Sequence, residues 1–347
     1  MSLVFTGAGA VRPTGPTPVP DLPWPTAHVV EGLDFAAVLG RKTVRFNNRT
    51  TNLALVACGE ALADAGLEVT DDIRDTVGVS FGTTCGSVTG AVEFGWDSFD
   101  RTRPHMVNPA TMPNTVLNTT AGAMAIKYGL KGANSTVVAG PLAGLGALRN
   151  AAVMLHAVHA DTMLVGAAEE VTGPGAWFAH ATRPDSLPGE GAAVFVLERA
   201  DVAIEAGRRP LARLGAVRSH TGDVRRPDTV CDAVAETLDA AGIEPERVRW
   251  VAMRVTGDSV VDAAQRVGLG AVLPIEPEDG IEELGDCYAG HAALQLAELV
   301  TRARTEGWSR DDAGVVVAAD PDGALAVAVV TGWSDDDNPL SRHEENR

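Results

Sequence analysis

Asn134–Glu170, NSTVVAGPLAGLGALRNAAVMLHAVHADTMLVGAAEE, is the stretch on which the reading of this chain turns. It opens with a short β-branched strand, Ser135–Val138, followed by a tight Ala/Gly turn. A helix of about four turns over Leu145–Val158 follows, and a second strand over Thr162–Val165. Strand-turn-helix junctions suit nucleophiles, because the turn exposes one side chain and the helix N-terminus favours negative charge there. Here the turn reads Ala139-Gly140-Pro141-Leu142-Ala143-Gly144, without Cys, Ser, Thr or Lys. The scaffold for a nucleophile is present and the nucleophile is not.

Two echoes of sequence set the architecture. EALADAGL (Glu60–Leu67) returns as ETLDAAGI (Glu236–Ile243), each reading as a helix end before a strand. PLAGLGAL (Pro141–Leu148) returns as CYAGHAAL (Cys287–Leu294), each opening a helix that leads to a strand, TMLVGA or GVVVAA. Two echoes in the same order indicate a duplicated α/β unit, with sheets covered by helices on both faces. The expected halves are 1–205 and 206–333, with an acidic, disordered tail over 334–347. Further elements expected are a strand at Leu3–Thr6, an irregular Pro-rich segment over 13–27 and an amphipathic helix over Asn52–Ala65 ended by Gly66. A buried strand at Thr76–Phe81, an Ala-rich helix ending at Gly129 and a strand at Ala193–Leu197 complete the first half.

Composition narrows the function. A formal charge of −18 disfavours nucleic acid or an anionic membrane as partner, although Arg208-Arg209 or Arg225-Arg226 could form a local basic patch. No apolar run reaches the ~18 residues of a membrane span. Four scattered cysteines and the lack of a secretory signal fit a cytoplasmic protein with reduced thiols. GAGAVRPTG starts like a dinucleotide fingerprint, but Arg12 and Pro13 stand where the third Gly and the helix should be, which rejects that site.

Three constellations carry chemistry on paper. Gly78-Val79-Ser80-Phe81-Gly82 matches the nucleophile-elbow pattern, but Ser80 falls inside a strand rather than on a turn. Cys287 and His291, one helical turn apart, could pair as thiolate and imidazolium, or could simply fill space at a helix start. The acidic run Glu276–Glu283 has no His or Cys at ligand spacing and reads as a solvated loop, so no metal is expected.

Taken together, LVFTGAGAVRPTG, NPATMPNTVLNTTAGAMAIKYGLKGANSTV and LPGEGAAVFVLE resemble, in order, segments of the β-ketoacyl synthase family of the thiolase superfamily. The resemblance covers about residues 2–333 and implies the duplicated, layered αβαβα thiolase fold. Members condense acyl thioesters with one Cys and two His. By position the Cys falls at Pro141, the first His at Arg254 in MRVTGDS and the second at Cys287 in GDCYAG; a Lys that precedes the second His falls near Glu282. The family's C-terminal Gly-Phe-Gly-Gly loop is replaced by ADPDGAL. Pro141 cannot form a thioester, and Arg254 is a permanent cation that cannot act as a neutral imidazole.

Losing the whole set implies a subunit without catalysis, similar to the chain length factors of type II polyketide synthases. Such subunits pair with an active ketosynthase and shape the tunnel for a chain delivered on the phosphopantetheine of an acyl carrier protein; no cofactor of their own is implied. The resemblance extends to GSVTGAVEFGWDSF, where Val92, Gly95 and Phe99 match the gating positions and share one helical face, with Cys85 just before them. Val92 and Gly95 are small enough to let a chain pass, and Phe99 would be the stop. Ser135, Thr136, Val137 and Val138 are expected at the dimer axis. Chain length factors commonly carry Gln at the lost Cys; Pro141 offers no such amide. The rival readings are a stand-alone acyl-thioester enzyme using Cys287 and His291, and a homodimeric scaffold.

Overall fold

The computed structural model describes residues 1–334, so nearly all of the tail expected to be disordered lies outside the described residues. The first half runs β1 (Leu3–Val11), α1 (Arg49–Ala65), β2 (Val77–Thr83), α2 (Val88–Asp100), α3 (Thr119–Tyr128) and β3 (Asn134–Val138). It continues through α4 (Ala143–His156), β4 (Thr162–Glu169), α5 (Gly173–Thr182) and β5 (Gly191–Arg199). The second half runs β6 (Ala212–Thr221), α6 (Pro227–Ala241), β7 (Val248–Met253) and α7 (Ser259–Val272), then α8 (His291–Thr305), β8 (Ala313–Asp320) and β9 (Ala324–Thr331).

One nine-stranded sheet takes the order β3-β2-β4-β5-β1-β6-β9-β8-β7. Reading inward from each end, β2-β4-β5-β1 and β7-β8-β9-β6 are the same arrangement. In both, the first pair is parallel and the next two pairs are antiparallel. The halves join through the short antiparallel contact of Leu3–Phe5 with Ala212–Leu214. β3 has no counterpart among the described residues and forms an open edge.

The duplication follows from local chemistry repeated twice. α1 ends on Gly66 and α6 on Gly242, both left-handed (φ 60° and 69°), a conformation that costs glycine little. α4 and α8 are each entered through a 3-10 turn, Gly140–Leu142 and Tyr288–Gly290. The central core contains Leu145, Leu148 and Leu155 of α4 and Leu294, Leu296 and Leu299 of α8. Strand residues of both halves, Val165 and Phe195 with Val316 and Ala328, join them there. A second core places α1 and α3 against the outer face of β2, β4 and β5, and a third places α6 and α7 against β7, β8 and β9. With the two halves of that one sheet on either side of the central helices, helix, half-sheet, helix, half-sheet and helix alternate in five layers, the thiolase fold.

Three expectations need correction. β1 runs on through Val11, so GAGAV is strand rather than turn. Gly7 and Gly9 are there for packing: a β-carbon on them would lie 2.2 Å from the Ala61 carbonyl and 2.1 Å from that of Ala57, in α1. α1 itself starts at Arg49 and is buried nearly all round, since it lies between β1 and other elements; the amphipathic reading was too shallow. The Pro-rich segment forms a small hairpin, Pro16–Pro18 with Thr26–His28, pinned where the Trp24 indole donates to the Pro184 carbonyl at 2.9 Å.

Candidate functional site

The turn from β3 into α4 faces the second half of the chain. Gly140 is at its apex with φ +52°, and a β-carbon there would sit 3.5 Å from the Tyr288 hydroxyl and 3.6 Å from an Asp320 carboxylate oxygen. Pro141, the position matched to the nucleophile, is buried at the start of the 3-10 turn. The residue displayed to the opposing loops is thus Gly140, one before the expected position, and neither residue can attack a thioester.

Opposite this turn, Arg254 leaves the end of β7 fully buried and meets Asp286 side-on. Its Nε donates to Oδ1 at 3.0 Å and its Nη2 to Oδ2 at 2.7 Å, while Nη1 donates to the Ala319 carbonyl at 3.3 Å. The same carboxylate accepts from Arg183 (2.8 Å), the Ser186 hydroxyl (2.7 Å) and the Tyr288 amide (3.0 Å). Burial opposes charge on Asp286, but the Arg254 charge and hydrogen bonds, with Arg183, outweigh it and hold the carboxyl well below the usual range. Burial likewise opposes the Arg254 charge, and Asp286 keeps its pKa above the ordinary value. The ring of Tyr288, itself at φ +42°, lies 3.5 Å from the Arg183 guanidinium and 4.9 Å from that of Arg254.

The position assigned to the second His needs the same one-residue correction. Asp286, not Cys287, faces Arg254. Cys287 turns into the core, where its thiol donates to the Leu284 carbonyl at 3.2 Å. Burial, reinforced by the charges of Asp286, Glu190 and Glu169, pushes that thiol well above its usual pKa. The ring nitrogens of His291 face the carbonyls of Gly285 (3.1 Å) and Asp279 (3.2 Å), and burial lowers its pKa. Cys287 and His291 therefore make no thiolate–imidazolium pair. Ser80 is also silent: it is buried in β2 and donates to the Ala147 carbonyl at 3.0 Å. Glu282, the position near the family's Lys, is exposed and lies in a different cleft.

The space left beside the Arg254–Asp286 pair is a cavity of about 60 Å³ bounded by Thr84, Cys85, Glu169, Phe178, Arg183 and Tyr288. That holds a few waters and no acyl chain. Glu169 accepts from Thr84, yet burial, with a smaller push from Glu170, raises it to about 7. Burial and the Glu169 and Glu170 charges raise the Cys85 thiol to about 11, which leaves it a poor nucleophile at neutral pH. Asp286, Arg183, Tyr288 and Glu169 were not singled out from sequence. The available signal was electrostatic: an Arg replacing a buried His requires a carboxylate nearby, and Asp286 adjoins the position that was named.

Val92, Gly95 and Phe99 line no part of this cavity. They lie on α2, none of whose residues is buried, with Val92 49% and Phe99 85% exposed and open space around Gly95. α2 packs on the 3-10 segment Pro109–Thr115 and on α5, and that surround exposes Trp96, Met112, Leu117, Trp177 and Phe178 as well. Ser135–Val138 lies at the sheet edge, with Val138 47% exposed. Of the suspected basic patches, Arg208 pairs with Glu198, Arg225 with Asp258 and Arg226 with Asp228, while Arg209 is exposed. Among the described residues no helix is long and apolar enough to cross a membrane.

Residues 31–184 match the N-terminal domain of β-ketoacyl synthases. The tetracenomycin polyketide synthase ketoacyl synthase beta subunit of Streptomyces glaucescens is 31% identical over 303 residues, 77% of this chain and 72% of that one. The 3-oxoacyl-[acyl-carrier-protein] synthase 2 of Coxiella burnetii is 28% identical over 289 residues, 75% and 69% of the two chains. Among solved structures, the ishigamide ketosynthase/chain length factor superposes with a TM-score of 0.84 at 30% identity, covering 96% of this chain and 100% of that one. A β-ketoacyl synthase from Burkholderia phymatum superposes equally well (0.84) at 18% identity, covering 96% and 100%, a likeness of fold alone. A thiolase fold shared along nearly its whole length, with a relative 31% identical across most of both chains, makes this protein a member of the β-ketoacyl synthase family.

Proposed function

We propose that this chain is a catalytically silent, ketosynthase-like subunit that pairs with an active ketosynthase and sets the length of the acyl chain the pair builds. The observation that carries the reading is the filled active centre. Gly140-Pro141 replaces the nucleophile, and a closed Arg254–Asp286 ion pair stands where two neutral imidazoles would have to work. A permanent guanidinium tied to a carboxylate can neither accept a proton nor change charge during a condensation. The names of two relatives, a ketoacyl synthase beta subunit and a ketosynthase/chain length factor, support the same assignment.

In this reading the halves 1–205 and 206–333 act as one scaffold. The apolar surround of α2 and the open edge Ser135–Val138 meet the partner, since an exposed edge of this kind otherwise invites aggregation. Val92, Gly95 and Phe99, exposed in the single chain, become the wall of a tunnel completed by the partner, with Cys85 at its inner end. An acyl carrier protein presents its chain on phosphopantetheine to the partner, because the 60 Å³ cavity here does not accommodate one.

The test is co-expression with a ketosynthase retaining Cys, His and His, then size exclusion with mass determination. A one-to-one complex, with this chain insoluble alone, is expected; a soluble homodimer that ignores the ketosynthase sinks the assignment and favours a scaffold. Within a stable complex, Gly95→Trp or Val92→Phe should shorten products and Phe99→Ala should lengthen them. Unchanged product length rejects the tunnel role while leaving the pairing intact.

A further inference from the structure

One stretch of the chain is free of carboxylates. From Arg101 to Ala160 there is no Asp or Glu, although 46 among 347 residues would place about eight in any sixty. The same sixty residues hold Arg101, Arg103, Lys127, Lys131 and Arg149. A chain of formal charge −18 therefore carries one long segment of net positive charge.

The fold gathers that segment around the open edge of the sheet. β3 is the edge, and α4 lies on one face of it: the Asn150 amide donates to the Ser135 hydroxyl at 2.6 Å, and a β-carbon on Gly146 would sit 3.0 Å from Val137. α3 lies on the other face, where the Asn134 amide donates to the Ala121 carbonyl at 3.3 Å. Lys127 is in the last turn of α3, Lys131 in the loop before β3 and Arg149 on α4. All three are exposed, and none has an ion-pair partner among the described residues. The carboxylates at the borders of the segment are engaged elsewhere, Asp97 by Arg101 (2.6 Å) and Asp161 by Arg199 (2.8 Å).

Two copies of one chain that meet edge to edge about a twofold axis present the same face to each other. A homodimer across β3 would set this cationic face against itself, with no carboxylate on α3, β3 or α4 of either copy to separate the charges. Like charges across an interface oppose association, whereas opposite charges favour and steer it. Building on the pairing proposed above, we propose that this face selects the partner by charge. It accepts a ketosynthase whose matching face carries carboxylates, and it rejects a second copy of this chain. Ile126, Val138 and Val153, exposed on the same elements, supply an apolar attraction that does not discriminate; the three cations supply the choice.

The test is dilution of the purified complex with a Cys-His-His ketosynthase, weighed by mass photometry at about 50 mM and about 500 mM salt. The dissociation constant of the wild-type complex should rise about tenfold or more with salt, as exposed charges are screened. Lys127→Glu, Lys131→Glu and Arg149→Glu together change only exposed side chains and should weaken the complex by about tenfold or more at the lower salt, with the difference shrinking at the higher. Arg209→Glu, an exposed cation outside this face, should leave the affinity unchanged. A complex indifferent to salt and to the triple reversal, an equal loss with Arg209→Glu, or a wild-type homodimer as abundant as the complex overturns selection by charge and leaves the pairing standing. Absence of any complex at either salt removes the pairing itself, and this inference with it.

Discussion

Replacing Asp286 by Asn keeps the shape of the side chain and removes the negative charge that holds Arg254. In the native chain the carboxylate accepts five hydrogen bonds, at 3.0 and 2.7 Å from Arg254, 2.8 Å from Arg183, 2.7 Å from Ser186 and 3.0 Å from the Tyr288 amide. An Asn oxygen can retain the Arg254 Nε and Tyr288 contacts at the Oδ1 position. Its amide then points two donors at the three donors gathered around Oδ2. Arg254 is fully buried; it loses its counter-charge and the Nη2 bond, keeping only the Nε contact and the Ala319 carbonyl. Removing one partner of a buried ion pair costs about 3–5 kcal/mol. With an unfolding entropy of about 0.7 kcal/mol/K for a chain of this length, that is a fall in Tm of about 4–7 °C by scanning calorimetry. Arg254→Met with Asp286→Leu should recover half or more of the loss, since the desolvation penalty goes with the pair. The pH dependence follows from the depressed pKa. Asp286 contributes its stability above the unfolded carboxylate value of about 3.9 and loses it only as pH falls toward the lower folded value. The gap between wild type and Asp286→Asn should therefore be flat from pH 5 to 8 and close below about pH 4. A Tm change under 1 °C at pH 7, or a gap that closes between pH 5 and 8, would refute the reasoning.

Other consequences are open to direct measurement. Iodoacetamide at pH 7.5 should leave Cys58 and Cys287 unmodified in the folded chain, because both are buried and their thiols are pushed far up by that burial; labelled Cys287 in a tryptic digest would revive the stand-alone enzyme. Gly9→Val should leave the chain insoluble or strongly destabilised, since even a β-carbon would stand 2.1 Å from the Ala57 carbonyl; normal solubility with unchanged Tm would contradict the packing of β1 on α1. Glu169 is raised to about 7, so the folded state holds its proton where the unfolded chain, near 4.3, has released it, and this group erodes stability as pH rises between those values. Glu169→Gln should flatten that decline, which thermal melts between pH 4 and 8 would reveal.

The parts of this fold that the sequence exposes are those set by local chemistry. Helix ends need a left-handed residue and found Gly66 and Gly242; helix entries against another chain segment need small residues and found PLAGLGAL and CYAGHAAL. Written twice in the same order, these reveal the duplication before any tertiary contact is known. What stays hidden depends on residues far apart. Gly-Ala-Gly-Ala looks like a turn until α1 is laid on it, when each glycine becomes a place of backbone contact. Arg254 was legible as a lost His through family resemblance, but its partner lies 32 residues on and adjoins a cysteine that drew attention for its reactivity. The same displacement by one residue separates Pro141 from Gly140. In both places a loop's backbone conformation, not its register with a motif, decides which side chain faces the cleft.

On the proposed reading, the two turns explain each other electrostatically. A buried guanidinium without a counter-charge is costly; Asp286 removes the cost by binding Arg254. Tyr288, held at positive φ between the Arg183 and Arg254 guanidinium groups, and the Asp320 carboxylate are the groups beside Gly140. Restoring Cys at the apex would place a thiol against a phenol and the Asp320 carboxylate, surroundings that raise its pKa instead of lowering it. On the proposed reading the centre holds groups that keep their charge in place of groups that must change protonation, and its stability rests on their staying charged. What the chain still leaves unsatisfied is at its surface, in the apolar surround of α2 and the open edge of β3, which is why the proposed partner is placed there.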